Sequence, residues 1–72
     1  MIQTFSVVRD FNAMTAISGR LREFKSGELI AVDSAQAGDV VAIESESRIF
    51  LVDRRVFEIS CKRNNDGAAP FF

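Results

Sequence analysis

The chain has 72 residues, 47% hydrophobic and 26% charged, with a formal net charge of -1. A single domain is expected, near the small end of what folds unaided, since a chain of this size buries only about 60% of its unfolded surface. One cysteine, Cys61, excludes an internal disulfide. The absence of histidine removes the commonest transition-metal ligand and the serine and cysteine triads that depend on it. The near-neutral balance gives no global attraction to nucleic acid or anionic membranes. Met1-Ile2-Gln3-Thr4-Phe5 lacks a basic region followed by an apolar one, and no apolar run approaches the roughly 20 residues that span a bilayer. The expectation is a cytoplasmic protein without membrane association, which a lone cysteine suits.

In chain order, residues 3–11 read as a first strand, with Phe5 and Val7 on one face and Ser6 and Val8 on the other. Residues 12–19 hold Asn, Thr, Ser and Gly among small apolar residues and read as a loop. Residues 21–24 read as a short irregular strand, followed by the turn Lys25-Ser26-Gly27 and a strand over 28–33. After a turn at 34–38, residues 39–45 and 48–52 form a hairpin joined at Glu46-Ser47, which lacks the Asn-Gly signature of the tightest hairpins. Asp53-Arg54-Arg55 suits one helical turn that Asp53 can cap. Residues 56–61 read as the last strand, with Phe57, Ile59 and Cys61 on one face. The domain is expected over 1–62, with a tail at 63–72, docked or flexible, that ends in Pro70, Phe71 and Phe72.

Three runs are apolar at every position: Leu29-Ile30-Ala31-Val32, Val40-Val41-Ala42-Ile43 and Ile49-Phe50-Leu51-Val52. A strand wetted on one side alternates apolar and polar residues, so these runs predict a sheet covered on both faces. So short a chain can wrap one face around its own core, and a copy of itself, another protein or its own tail must cover the other. Homo-oligomerisation is the expected remedy for a small core without disulfide or metal. Ile30, Val32, Val41, Ile43, Phe50 and Val52 are the candidate interface set, although both parities of each run are apolar and either can be the core.

The order of pieces resembles a Src-homology-3-like barrel. Val7-Val8-Arg9-Asp10-Phe11 resembles that fold's opening strand, and residues 24–32 (Phe-Lys-Ser-Gly-Glu-Leu-Ile-Ala-Val) are similar to its diverging turn. Residues 49–59 resemble its closing segment, in which a strand runs into a short helical turn and then a last strand. The likeness implies an all-β, five-stranded barrel with one helical turn near 53–55. It does not imply polyproline binding. Arg9 stands where the groove's first aromatic would be, Val52 replaces the groove proline, Arg55 the tyrosine after it, and the chain holds no Trp or Tyr. A second likeness is to the small plasmid-borne dihydrofolate reductases, which are barrels assembled around a pore. Ala42-Ile43-Glu44-Ser45-Glu46-Ser47 is similar to a segment of them, whereas Arg48-Ile49-Phe50-Leu51 departs from their active-site motif.

The candidate chemistry is sparse. Cys61 shares the apolar side of its strand with Phe57 and Ile59 and reads as a buried thiol rather than a nucleophile. Glu44 and Glu46 share a strand face at the lip of a hairpin, where solvated carboxylates are ordinary. Asn64-Asn65-Asp66-Gly67 lacks the spacing and terminal glutamate of a calcium loop. Arg20, Arg22 and Lys25, together with Arg54 and Arg55, can form a basic surface for nucleic acid, against which stand the interleaved acids Asp10, Glu23, Glu28, Asp53 and Glu58. The favoured reading is a non-enzymatic interaction or assembly module without cofactor. A nucleic-acid-binding barrel is the alternative, and an oligomeric pore enzyme comes third.

Overall fold

Alternating side chains from Ile2 onward set an extended backbone, which Gly and polar residues interrupt at each turn. A computed structural model of the chain describes residues 1–33 and 35–64. Its elements are β1 (Ile2–Val7), β2 (Phe11–Thr15), β3 (Leu21–Phe24), β4 (Leu29–Asp33), β5 (Val40–Ser45), β6 (Arg48–Asp53), α1 (Arg54–Ser60) and β7 (Cys61–Arg63). The strands form one antiparallel sheet in the order β3-β2-β6-β5-β4-β1-β7. The protein is therefore all-β, as expected. It is not a five-stranded barrel, because seven strands pair and the sheet is not closed. Among the described residues no helix is long and apolar enough to cross a membrane. Pro70, Phe71 and Phe72 lie outside the described residues.

Three segments differ from the sequence reading. The strand expected over residues 3–11 ends at Val7, and residues 8–10 connect it to β2. Residues 11–15, expected partly as loop, are strand β2: Phe11 and Ala13 are buried while Asn12 and Met14 face outward. The period-two signal is there, but Ala and Asn mute it. Residues 56–60, expected as strand, belong to α1, whose buried residues Phe57 and Ser60 are three apart. Phe-Glu-Ile-Ser fits either period, and the cap decides: the Asp53 carboxylate accepts the Arg55 backbone N–H at 2.8 Å. Ile59, placed with Phe57 under the strand reading, is exposed in the helix.

The core lies on one face of the sheet. It contains Val7, Phe11, Ala13, Phe24, Ile30, Val32, Val41, Ile43, Phe50, Val52, Phe57 and Cys61. Phe24 belongs to one edge strand and Cys61 to the other, so the sheet must curl until both ends meet a common interior. Phe24 is 0% exposed; it stacks on Phe11 with centroids 5.1 Å apart and meets Phe50 edge-on at 5.1 Å. Such offset and edge-on pairs add to the burial itself.

The β5–β6 hairpin turns on Glu46 (φ 54) and Ser47 (φ 65). Positive φ at both central residues is the type I′ geometry, whose twist matches the flanking strands. Neither residue is suited to it, because a side chain in the left-handed region costs about 1–2 kcal/mol. Replacing the pair by Asn-Gly (E46N with S47G) is expected to stabilise the protein by about 1 kcal/mol, a rise of roughly 4–8 °C in melting temperature for a domain of this size. Thermal melts followed by circular dichroism check this; an unchanged or lower midpoint would contradict it.

Candidate functional site

Two surfaces stand out, and the pleat of β5 and β6 positions both. Their register pairs Val41 with Val52 and Ile43 with Phe50 on the core side. Ala42 opposite Leu51 and Glu44 opposite Ile49 therefore face outward. Ile30, Val32, Val41, Ile43, Phe50 and Val52, expected at an interface, are each 4% exposed or less within the single chain. That is a correction: they are core, and the face left open is the other parity.

On that outer face the register builds one continuous row. Leu21 of β3 lies opposite Met14 of β2, Met14 opposite Leu51 of β6, and Leu51 opposite Ala42 of β5. Four neighbouring strands about 4.8 Å apart give an apolar row roughly 14 Å long. Leu21 is 70% exposed, Met14 45% and Leu51 37%. Ile49, Val40 and Leu29 are also open on this face, and Glu44 and Asp53 mark its polar margin.

The second surface is the mouth of the curled sheet, between the β2–β3 loop and the β5–β6 turn. Arg22 faces inward here, opposite buried Ala13. Its guanidinium lies 4.2 Å from the Phe24 ring centroid and 5.6 Å from that of Phe50. It donates to Glu28 Oε1 at 3.1 Å and to the buried Ser45 hydroxyl at 3.2 Å, and lies 3.9 Å from Glu46. One side chain thus ties edge strand β3 to β5 and to the start of β4. A short edge strand with an inward-pointing charge also resists pairing with other chains.

Beside Arg22, a groove of roughly 480 Å³ is lined by Thr15, Ser18, Arg20, Leu21, Arg48 and Phe50, together with Arg22 and Glu46. It continues over Thr15, Ser18 and Arg48 into a second depression with Ile17, Ser47 and Ile49. The loop is fixed by its own hydrogen bonds: Thr15 N–H donates to Arg20 O, Gly19 N–H to Thr15 O, and Arg20 N–H to Thr15 Oγ1. The Thr15 and Ser18 hydroxyls are 2.6 Å apart. Gly19 has φ +71, a conformation other residues rarely adopt.

The expected basic surface is divided. Arg20 and Arg22 line the groove, while Arg54 and Arg55 line a separate depression with Asp39, Asp53 and Glu58. Lys25 lies 3.4 Å from Glu23. Arg54 donates to the carbonyls of Gly38 and Gln36, so it is committed to holding the β4–β5 loop. Arg48, which the basic set omitted, shares the groove with Arg20.

Among the described residues no group of His, Cys, Asp or Glu could hold a metal ion. Burial pushes the Cys61 thiol up to about 11, so at neutral pH it is a packed thiol rather than a thiolate. The Ala35 backbone N–H, then the terminal amino group of Met1, holds exposed Asp33 below its ordinary value. Comparison with protein-family models, curated proteins and solved structures found no match.

Arg22→Lys keeps the charge but loses the planar fork and the stacking over Phe24. It is expected to cost about 1 kcal/mol, close to the cost of Arg22→Met, because the pairs are partly exposed and the hydrogen bonds modest. Urea titration of both variants checks this; a lysine variant as stable as the parent would show that charge alone suffices.

Proposed function

We propose that the protein is a non-enzymatic assembly module that pairs with copies of itself through the outer face of its sheet. The observation that carries this reading is the unbroken row Leu21–Met14–Leu51–Ala42 across four strands. Exposed apolar residues are ordinary when scattered, but a contiguous patch rimmed by acids is a mark of interaction surfaces. The partner is a second copy because the chain is small and nearly neutral. A net charge of -1 opposes self-association weakly, and covering the row supplements a core that is limited by chain length.

The likeness to Src-homology-3 barrels is supported by the closing order of strand, short helix and strand over residues 48–63. No polyproline groove follows from it, since the chain lacks Trp and Tyr. Nucleic-acid binding by Arg20, Arg22, Lys25, Arg54 and Arg55 is the weaker reading. It needs one basic surface, and these residues are divided between two depressions, one of them rich in acids. A pore enzyme has no supporting carboxylate or nucleophile constellation among the described residues.

The test contrasts neighbouring positions on β6. Leu51→Asp should leave the fold intact and reduce the assembled species to monomer, while Phe50→Asp should unfold the chain by burying a charge. Sedimentation and circular dichroism read the two outcomes. A folded Leu51→Asp variant with the parent's oligomeric mass would overturn the proposal.

A further inference from the structure

The groove at the sheet's mouth has charge properties that assembly through the outer face does not use. Its lining carries three arginines, Arg20, Arg22 and Arg48, against one acid, Glu46. That is +2 in one groove of a chain whose formal net charge is -1, so the remaining residues together carry -3. Arg22 is matched by Glu28 and more distantly by Glu46. Arg20 and Arg48 have no ion pair among the described residues, whereas Arg22 and Lys25 each do. Two unmatched guanidiniums facing one concavity favour an anion, and their forked donors suit carboxylate or phosphate oxygens.

The rest of the groove limits what that anion can be attached to. Ile17, fully exposed, and Ile49 line the continuing depression with Ala16, so apolar surface lies directly beyond Arg48. A bare ion would leave that surface wet. Ile17 stands on a loop closed by hydrogen bonds among Thr15, Ser18, Gly19 and Arg20, and Ala16 N–H donates to Ile49 O. The wall therefore needs little ordering when a ligand arrives, and preorganisation of this kind raises affinity. Ser47 also lines this rim, and the Ser18 hydroxyl is paired with that of Thr15.

We propose that this groove binds an amphiphilic oxyanion, with a carboxylate or phosphate head between Arg20 and Arg48 and an apolar body over Ile17 and Ile49. The head-group chemistry is shared by fatty carboxylates and alkyl phosphates. The site borders the outer face at Leu21 and Ile49 but does not depend on self-association through Leu51 and Met14. It would be present in a monomer, so failure of either proposal leaves the other standing.

Calorimetric titrations of the intact chain with octanoate, octyl phosphate and inorganic phosphate, each surfactant below its micelle concentration, test this. At least one surfactant should bind saturably and about tenfold or more tighter than inorganic phosphate, the gain expected from burying two or more methylenes. The stronger of the two identifies the head group. R20A/R48A should weaken binding about tenfold or more with an unchanged melting temperature, while Arg55→Ala, in the other depression, should bind like the parent. Ile17→Asp provides a second variant, removing the apolar wall while keeping both arginines. The proposal is overturned by no saturable binding, by equal affinity for inorganic phosphate, or by full binding in R20A/R48A. Tighter binding of a short single-stranded oligonucleotide through the same arginines would overturn it in favour of nucleic acid.

Discussion

Every part of this structure depends on one sheet folding over a single apolar face until its two ends share a core. A flat seven-stranded sheet would leave Phe24 on one edge and Cys61 on the other far apart, yet both are buried in one cluster. Phe24 is central to the curl. It stacks on Phe11 from its hairpin partner and meets Phe50 from β6, bringing the edge strand over the interior. Arg22, two residues earlier, then lies over the Phe24 and Phe50 rings with its guanidinium and reaches Glu28, just before β4, and Ser45 of β5. The clasp is a cation held at the border of core and solvent, where the rings and the acid both favour it.

The other end is completed by different means. α1 enters immediately after β6, and its Phe57 fills the interior beside Phe5, with ring centroids 5.0 Å apart. Arg54 and Gln36 fasten the loop that leads into β5. The Gln36 amide both donates to Ala42 O and accepts from Ala42 N–H, at 2.8 and 2.7 Å, acting as a strand peptide where β4 and β5 have separated. The outer apolar row thus lies on a backbone that is paired across its width, and the mouth groove lies between a self-bonded loop and a tight turn. Rigid display of apolar groups suits recognition by a partner surface.

The sequence foretold the all-β class, the β5–β6 hairpin and its two-residue turn, and the capping role of Asp53. It was less clear where two periods fitted the same letters, as in Phe57-Glu58-Ile59-Ser60, and where small residues muted alternation, as in β2. The parity of the three apolar runs was the most consequential ambiguity. Ile30, Val32, Val41, Ile43, Phe50 and Val52 proved to be core, and flanking charges do not mark that face. Extended by two residues, the inward sets meet Glu28, Asp39 and Arg48, while the outward sets meet Asp33, Glu44 and Asp53. With charges in line with both parities, only the packed structure separates the two faces. The groove was less legible, because Arg20 and Arg48 are far apart in sequence and line one groove only because β2 pairs with β6.

Self-association rests on a second copy covering the outer row. The most direct measurement is the absolute mass of the unmodified chain, by light scattering on a sizing column at low and high salt. An apolar interface predicts a dimer or larger species whose mass does not change with salt, because screening acts on charges and not on burial. A monomer at both salt concentrations would contradict the claim, as would an assembly that dissolves when salt is added.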